Sequence, residues 1–298
     1  MLGRDLVTAL AGDGEDVVGL TRRELDITDD AAVRAAVRAC GPDVVVNCAA
    51  WTAVDDAEAH EDEAHAVNAT GAAHVAAACA TGGRAGAVAG EIRLIHLSTD
   101  YVFAGDGRRP YSEHDPAGPR SAYGRSKLAG EQAVLKLLPR AGYVVRTAWL
   151  YGAHGPNFVR TMIRLERERP AVDVVDDQRG QPTWTVDVAG QIVALVRSQA
   201  RAGVYHATSS GEATWFEVAR EVFRLLGADP ARVRATTISA FPRRAPRPGY
   251  SVLGHGAWVA IGIEPIGDWR SALRRAFPVL AAASGDQAGR PSAARPGR

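Results

Sequence analysis

The stretch Ile92-Arg93-Leu94-Ile95-His96-Leu97-Ser98-Thr99-Asp100 decides the fold class of this chain. Its first six residues are mostly apolar and predict a buried strand, and hydroxyl and carboxylate side chains follow where that strand ends. Ligands of open parallel sheets bind at the carboxyl ends of the strands. Because similar apolar runs alternate with helical patterns along the chain, we predict an α/β fold with a doubly wound parallel sheet.

Downstream of this strand, Tyr123 and Lys127 occupy positions i and i+4 and would share one face of a helix. A free tyrosine has a pKa of about 10, and a nearby cation lowers it, which suits a general acid or base acting on an alcohol or ketone. By itself the pair is weak evidence, because this spacing occurs by chance on many exposed helices. The strand end at Thr99 is what favours a catalytic site.

Thr99, Tyr123 and Lys127 resemble the Ser/Thr-Tyr-Lys triad of the short-chain dehydrogenase/reductase superfamily. More narrowly, the chain resembles the dTDP-4-dehydrorhamnose reductase family from Met1 to about Leu280. The motifs that carry this resemblance are S-T-D-Y-V-F at 98–103, Y-G-x-S-K-L-x-G-E at 123–131, R-T-A-W-L-Y-G at 146–152 and D-Q-x-G-x-P-T at 177–183. The fold it implies is Rossmann-like, with a smaller C-terminal α/β substrate-binding region.

The resemblance also implies a reaction: NADPH-dependent reduction of the C4 keto group of dTDP-4-dehydro-L-rhamnose to give dTDP-L-rhamnose. Tyr123 would donate the proton, Lys127 would hold the phenol's pKa down and bind the nicotinamide ribose, and Thr99 would hydrogen-bond the carbonyl oxygen. The implied cofactor-binding residues are Met1, Leu2, Gly3, Arg22, Asp26, Ile27, Ala50, Trp51, Thr52, Leu97, Tyr123 and Lys127. The implied substrate-binding residues are Thr99, Asp100, Tyr101, Trp149 and Arg247.

Some of these residues also fit plainer roles. Trp149 is equally an aromatic of the core, and Arg247 equally belongs to a surface loop in a Pro/Arg-rich stretch. Asn68 is expected to organise backbone or water near the triad. Tyr111 and Glu113 lie in a loop from Gly105 to Pro119 that we expect to arch over the active site.

The N-terminus departs from the family pattern. A dinucleotide-binding unit needs a strand and a glycine-rich turn before its first helix, so that backbone amides approach the pyrophosphate. Here only the last glycine, Gly3, precedes a helix running through about Leu10, and the first strand is truncated. We expect either a start codon assigned too far downstream or a truncated, impaired protein. Asp16–Leu20 reads as the second strand, and Arg22 with Arg23 after it favours NADPH, with NADH still possible.

Further elements follow from the pattern. Asp29 or Thr28 is expected to cap a helix that Gly41 and Pro42 end, and 43–50 reads as a doubly buried strand. We predict three regions: a cofactor-binding domain at 1–150, a mainly substrate-binding region at 151–280 and a disordered tail at 281–298. A Gly/Ala-rich surface loop is expected at 82–90.

Composition excludes several function classes. A net charge of +1 gives no reason to expect nucleic acid or a membrane surface as partner, and no run reads as a transmembrane segment or signal peptide. The cysteines, Cys40, Cys48 and Cys79, lack metal-site spacing and suggest buried, reduced thiols in the cytoplasm. We predict no metal site. The expected partner is a dTDP-linked 4-keto-6-deoxyhexose, and a homodimer is left open.

Two other functions are open at this point. The chain could be a 4-ketoreductase for another nucleotide-activated deoxysugar, which would keep the triad and change only pocket residues. It could also be a non-catalytic nucleotide-binding regulatory subunit, as the same family includes such a partner of methionine adenosyltransferase. The intact triad argues against the regulatory alternative, and the altered phosphate loop argues for it.

Overall fold

The computed structural model describes residues 1–82 and 92–285. The helices are α1 (Leu2–Gly12), α2 (Asp30–Cys40), α3 (Val54–Ala57), α4 (Glu61–His65), α5 (Ala72–Thr81), α6 (Ala122–Leu137), α7 (Phe158–Glu168), α8 (Thr185–Arg197), α9 (Trp215–Leu225), α10 (Gly256–Ala260) and α11 (Trp269–Gly285). The strands are β1 (Val44–Asn47), β2 (Arg93–Thr99), β3 (Gly142–Thr147), β4 (Leu150–Tyr151), β5 (Val172–Val175), β6 (Arg179–Gly180), β7 (Thr183–Trp184), β8 (Gly203–His206), β9 (Ala213–Thr214) and β10 (Val233–Thr236).

The central sheet is parallel and has the strand order β1-β2-β3-β8. Thr99 pairs with Thr147, so the carboxyl ends of β2 and β3 lie side by side. Alternate residues of β2 face opposite helical layers: Ile95 packs with α1 and α8, whereas Leu94 packs with α2, α5 and α6. Helices on both faces of a parallel sheet confirm the doubly wound prediction.

Local signals set the helix ends near this sheet. Asp29 caps α2 by accepting a hydrogen bond from the Ala32 amide at 3.0 Å, and Gly41 ends that helix with φ at 53°. Ser121 caps α6 and Asn157 caps α7 in the same way. These caps satisfy amides that the first helical turn would otherwise leave unpaired.

The predicted strand at Asp16–Leu20 is wrong. This segment follows α1 with no regular secondary structure and no ladder partner among the described residues, and Val18 and Leu20 are 62% and 48% exposed. A strand exists only by pairing its backbone with a neighbour. In the described residues, β1 is the strand at this side of the sheet and pairs only with β2.

The C-terminal half contributes to two cores. One core is formed by α7, α9 and α11 around the parallel pair β5–β10. Helix α8 and strand β8, however, return to the central sheet and pack beside α1. The division at residue 150 therefore stays a prediction, with the segment 151–280 serving both parts.

Other predictions are corrected at the surface. The disordered tail was expected from residue 281, but α11 continues to Gly285, and Arg160 donates a hydrogen bond to the Ala283 carbonyl at 2.7 Å. Cys40 is exposed rather than buried, because it ends α2; Cys79 is buried and Cys48 is half-buried. The predicted loop at 82–90, apart from Gly82, and residues 286–298 lie outside the described residues. No helix in the described ranges is long and apolar enough to cross a membrane.

Candidate active site

The carboxyl end of β2 turns directly into a short 3₁₀ helix, Asp100–Val102. Thr99 organises this turn: its hydroxyl donates to Asp100 Oδ1 at 3.0 Å and accepts from the Tyr101 amide at 3.2 Å. Both Thr99 and Asp100 are buried. The strand end therefore holds a hydroxyl and a carboxyl group in one fixed arrangement.

Helix α6 carries the tyrosine and the lysine against this strand end. Its start is held by Glu58, which accepts a hydrogen bond from the Ala122 amide at 2.8 Å. Two glycines allow the close approach: a Cβ at Gly124 would overlap the Tyr101 carbonyl oxygen, and one at Gly130 would overlap that of Asn68. The two glycines of the 123–131 motif thus let the helix backbone pack against its neighbours.

Tyr123 is buried against Tyr101, with ring centroids 5.6 Å apart in an edge-to-face arrangement. Burial raises the pKa of Tyr123 to about 12, while its hydrogen bond with Thr99 acts in the opposite direction. Desolvation favours the neutral phenol, and the expectation that Lys127 lowers this pKa stays a prediction. A protonated Tyr123 is suited to donate a proton.

Lys127 is 2% exposed and is held by strand β2. Its Nζ donates to the Leu97 carbonyl at 2.6 Å and lies 3.3 Å from His96 Nε2. Burial lowers the pKa of Lys127 to about 8. The predicted triad Thr99, Tyr123 and Lys127, together with Leu97, is thus assembled around the end of one strand.

Asp100 is the second titratable group of the site. Burial raises its pKa to about 6, and the hydroxyls of Ser251 and Thr99 partly offset that effect. Its Oδ2 atom is buried and makes no ordinary hydrogen bond within the described residues. A buried carboxyl oxygen without a donor is a natural acceptor for a ligand hydroxyl. Ser251 ends the same stretch as the predicted substrate-binding residue Arg247, but the sequence did not predict its contact with Asp100.

The loop at Ala50–Thr52 is held by Asn68, which lies in a π-helical segment, Ala66–Gly71. The Asn68 amide accepts from the Trp51 backbone N–H at 2.9 Å and donates to the Trp51 carbonyl at 3.1 Å and to Ser126 Oγ at 2.9 Å. These contacts confirm that Asn68 organises backbone beside the triad. Ala50 and Trp51 are half-buried and Thr52 is exposed.

Trp149 lies two residues beyond the end of β3 with φ at 47°, the one non-glycine residue with positive φ in the described chain. Its ring stacks on Trp215, with centroids 3.6 Å apart, and a Cβ at Gly180 would overlap the indole. A bulky residue in the left-handed region costs on the order of 1–3 kcal/mol, and such strain clusters at functional sites. Trp149 is thus built into an aromatic stack, and its contact with substrate stays a prediction.

Arg247 lies beside the site but is ion-paired. Its Nη2 is 2.7 Å from Asp55 Oδ2, and Asp55 Oδ1 accepts from the Ala245 amide at 3.2 Å. A small cavity of about 50 Å³ separates the Arg247 loop from Tyr101, lined also by Phe103 and Arg120. In the 105–119 loop, Tyr111 stacks on Phe103 with centroids 4.3 Å apart, and Glu113 accepts from the Ala257 amide; that this loop arches over the active site stays a prediction.

The residues near the N-terminus that were predicted to bind the cofactor lie at the start of α1 and in the segment from Arg22 to Ile27. Met1 caps α1 and lies near Gly152 and Asn157, whereas the Leu2 side chain points into the core. Arg22 is 81% exposed, with its Nε 3.8 Å from Asp26 Oδ2. Asp26 accepts from Thr28 N and Oγ1, and Ile27 packs under Gly71.

These residues offer the hydrogen-bonding and charged groups that a bound dinucleotide requires. The first amides of α1, including those of Leu2 and Gly3, have no intrahelical acceptor and lie at the positive end of the helix dipole, which suits a pyrophosphate. Lys127 and Asp26 offer a donor and an acceptor for ribose hydroxyls. Arg22 offers an exposed cation, the group that a ribose 2′-phosphate requires.

A second set of buried polar residues was missed from the sequence. Asn47, His96, Glu131, Arg146 and His206 all lie between the sheet and α6 or beside them. Arg146 donates to both carboxylate oxygens of Glu131, at 2.9 and 2.7 Å. The signal was present as polar residues inside apolar strand patterns, but a pattern does not say which of them meet.

Comparisons with known proteins agree with this geometry. The family model described as the RmlD substrate binding domain matches residues 1–281. A dTDP-4-keto-6-deoxy-D-glucose reductase from Streptomyces niveus is 58% identical over 94% of this chain and 94% of that protein. A dTDP-4-dehydrorhamnose reductase from Streptomyces griseus is 56% identical over 96% of this chain and 92% of that protein.

A solved structure is also similar. The dTDP-4-dehydrorhamnose reductase from Bacillus anthracis, in complex with NADP, has a TM-score of 0.86 and 37% identity, and the match covers 93% of this chain and 95% of that one. The parallel sheet and the Thr-Tyr-Lys arrangement define a Rossmann-like oxidoreductase of the extended short-chain dehydrogenase/reductase superfamily. Within it, the chain belongs to the dTDP-4-dehydrorhamnose reductase family.

Proposed function

We propose that this protein is an NADPH-dependent reductase that converts the C4 keto group of dTDP-4-dehydro-L-rhamnose to the alcohol of dTDP-L-rhamnose. The observation that carries the proposal is the buried arrangement of Thr99, Tyr123 and Lys127 at the end of β2. Burial keeps Tyr123 protonated until a substrate oxygen develops negative charge beside it. Family membership supports the same reaction class.

The chain's own groups divide the work at the carbonyl. NADPH, when bound, supplies the hydride to C4. Tyr123 gives its phenolic proton to the oxygen on which negative charge develops, and Thr99 donates a hydrogen bond to that oxygen. Lys127 contacts the ribose hydroxyls and offers positive charge to the phenolate left on Tyr123. Preplaced donors of this kind supply much of the rate gain in such sites.

Asp100 and Tyr101 would orient the sugar ring. Asp100 Oδ2 is a buried acceptor with no standard hydrogen bond among the described residues, although the Ser251 hydroxyl acts on the same carboxyl group, so a sugar hydroxyl can bind there. With its pKa raised to about 6, Asp100 is largely ionised at neutral pH and accepts well. Trp149 and Arg247 stay our candidates for contacts to the deoxysugar and its nucleotide.

A second sugar is supported by one observation. The relative named for dTDP-4-keto-6-deoxy-D-glucose is as similar to this chain as the relative named for dTDP-4-dehydrorhamnose. Both reactions reduce a C4 ketone of a dTDP-linked 6-deoxyhexose, so the triad serves either. We therefore keep a 4-ketoreductase for another deoxysugar as the alternative, acting in the cytoplasm in both cases.

The decisive experiment follows NADPH oxidation with each of the two dTDP-linked ketosugars, using the wild-type chain and Tyr123→Phe. We expect the wild type to oxidise NADPH with dTDP-4-dehydro-L-rhamnose as the preferred substrate. Tyr123→Phe should lower kcat by about 10²–10⁴-fold and leave NADPH affinity nearly unchanged, because the lost group acts only in proton transfer.

Three outcomes would change the conclusion. A preference for dTDP-4-keto-6-deoxy-D-glucose would favour the second sugar. Equal loss of turnover and cofactor affinity in Tyr123→Phe would contradict the role of Tyr123 as proton donor. Nucleotide binding without turnover on either ketosugar would favour the regulatory alternative.

A further inference from the structure

A chain of four polar groups leads from the β1 end to Lys127. The Ala49 amide donates to Asn47 Oδ1 at 3.0 Å, and Asn47 Nδ2 lies 3.2 Å from His96 Nδ1. On the other side of the ring, His96 Nε2 lies 3.3 Å from Lys127 Nζ, which in turn donates to the Leu97 carbonyl at 2.6 Å. His96 is fully buried.

The polarity of this chain limits the states of its members. A neutral imidazole has one donor nitrogen and one acceptor nitrogen, whereas an amide NH₂ and an ammonium group only donate. If Lys127 donates as an ammonium to His96 Nε2, then Nδ1 carries the proton and faces the Asn47 NH₂. Rotating the Asn47 amide by 180° would bring Oδ1 to the His96 Nδ1–H. Its NH₂ group would then face the Ala49 N–H, which is also a donor. A doubly protonated ring would face donors on both sides.

One assignment satisfies every contact. Asn47 donates to His96 Nδ1, His96 Nε2–H donates to the lone pair of a neutral Lys127 amine, and that amine donates to Leu97 O. We propose that Asn47 and His96 are positioning residues for Lys127, with His96 presenting Nε2–H to the lysine nitrogen and so favouring its unprotonated form.

The surrounding charges do not supply this preference. Glu131 acts to keep Lys127 protonated, whereas burial raises the pKa of the neighbouring Cys48 to about 11 and leaves it uncharged where Lys127 titrates. Tyr123 lies one turn before Lys127 on α6. The His96 ring is neutral, because burial and the neighbouring Lys127 hold its pKa well below the usual value. The N-terminal amine acts on the pKa of Cys48. Burial and the polarity of the His96 chain therefore act on Lys127 in the same direction.

The consequence is a lysine that titrates within the working pH range of an enzyme. An ordinary lysine, with a pKa of about 10.4, stays protonated throughout that range. Lys127 can instead gain or lose a proton as the charge on Tyr123 changes. This inference rests on the proposed reductase site, and it predicts an alkaline limb in the pH profile of kcat near the pKa of Lys127.

The test uses the full chain and does not depend on turnover. The sequence contains two lysines, buried Lys127 and exposed Lys136, so carbon-13-labelled lysine gives two resolved titrations. We expect Lys127 to titrate well below Lys136. In His96→Leu and in Asn47→Leu, the Lys127 midpoint should rise by about one pH unit, which is a tenfold gain in proton affinity. His206→Leu, another buried histidine substitution, should leave it unchanged.

The sign of the change decides the outcome. If His96 accepted a hydrogen bond from the ammonium, both leucine variants would lower the Lys127 midpoint or leave it where it was, and the proposal would be wrong. A second measurement needs no stable variant: long-range nitrogen–proton spectra of the wild type should give His96 as the Nε2–H tautomer. An Nδ1–H tautomer would overturn the proposal even if the enzyme is active, and a correct tautomer without turnover would overturn only the proposed function.

Discussion

Two buried histidines lie in the same sheet, and their surroundings differ in polarity. His206 on β8 has an acceptor on one side, the Gly254 carbonyl at 2.9 Å from Nδ1, and a donor on the other, Arg146 Nη1 at 3.4 Å from Nε2. His96 on β2 has donors on both sides, Asn47 and Lys127. The first arrangement satisfies an ordinary neutral ring, whereas the second does so only if its lysine gives up a proton.

The charged partners of these rings differ in the same way. Lys127 and Glu131 lie one turn apart on α6 and face neighbouring strands. Glu131 meets Arg146 in a buried ion pair with two hydrogen bonds. Lys127 meets only neutral groups of β2, the Leu97 carbonyl and the His96 ring. We infer that the Glu131–Arg146–His206 cluster serves the fold, and that the Asn47–His96–Lys127 chain is less stable than it could be because it serves the reaction.

The largest effect is expected for Lys127, whose loss should lower activity without lowering stability. Lys127→Met should lower kcat by about 10²–10⁴-fold, because the charge beside Tyr123 is lost. It should not lower the free energy of unfolding at pH 7. The folded-state pKa of Lys127 is about 8 and the unfolded value is higher, so protonated Lys127 costs stability at every pH below 8. Steady-state kinetics and urea unfolding on the same preparations check both parts.

Lys136→Met is the matched control, because Lys136 is exposed on the same helix. It should change neither kcat nor the unfolding midpoint. A loss of stability in Lys127→Met as large as that of a core cavity mutant would contradict the comparison.

The next largest effect should be a loss of stability when the Glu131–Arg146–His206 cluster is disrupted. Arg146→Met leaves Glu131 as a buried, unpaired carboxylate and should lower the free energy of unfolding by about 3–5 kcal/mol. The double variant Arg146→Met/Glu131→Leu removes the stranded charge and should regain much of that loss. Denaturant unfolding measures both. If the double variant were as unstable as the single one, packing of Arg146 on Phe103 would be the main contribution instead.

A smaller effect depends on pH. Burial and the Arg146 charge lower the pKa of His206 to about 3, so the unfolded chain takes up a proton at higher pH than the folded chain does. Stability is therefore lost as pH falls from about 6.5 toward 3, and His206 accounts for about 2 kcal/mol of that loss by pH 5. In His206→Gln, unfolding free energies at pH 7 and pH 5 should differ by about that much less. Equal pH dependence in the two proteins would refute this account.

The smallest effect concerns the ion pair between Arg247 and Asp55 at the edge of the site. Arg247→Gln breaks the partly exposed ion pair with Asp55 and should cost no more than about 1 kcal/mol of stability. Asp55→Asn breaks the same pair and is its control. If Arg247 contacts the substrate, only Arg247→Gln should raise the substrate KM. If the pair only holds the loop, both variants should raise KM alike.

Much of the site was predictable because its signals are local. Tyr123 and Lys127 share a helical face by spacing alone, and Thr99 lies at the end of an apolar run that reads as a buried strand. Caps such as Asp29 were readable for the same reason. The strand at Asp16–Leu20 was not, because strand formation depends on a neighbour that lies elsewhere in the chain. Spacing predicted the proximity of Tyr123 to a cation, but not the degree of burial, which raises the pKa of Tyr123.

The sequence by itself determined the alternation of strands and helices, the family and the three residues at the end of β2, because hydrophobic period, capping and motif spacing are properties of adjacent residues. Only the tertiary structure decided which buried polar groups meet. His96 and His206 both stand in short, largely apolar strands, yet one lies between two donors and the other between a donor and an acceptor. Hydrogen-bond polarity depends on partners brought together from distant parts of the chain, and folding alone supplies them.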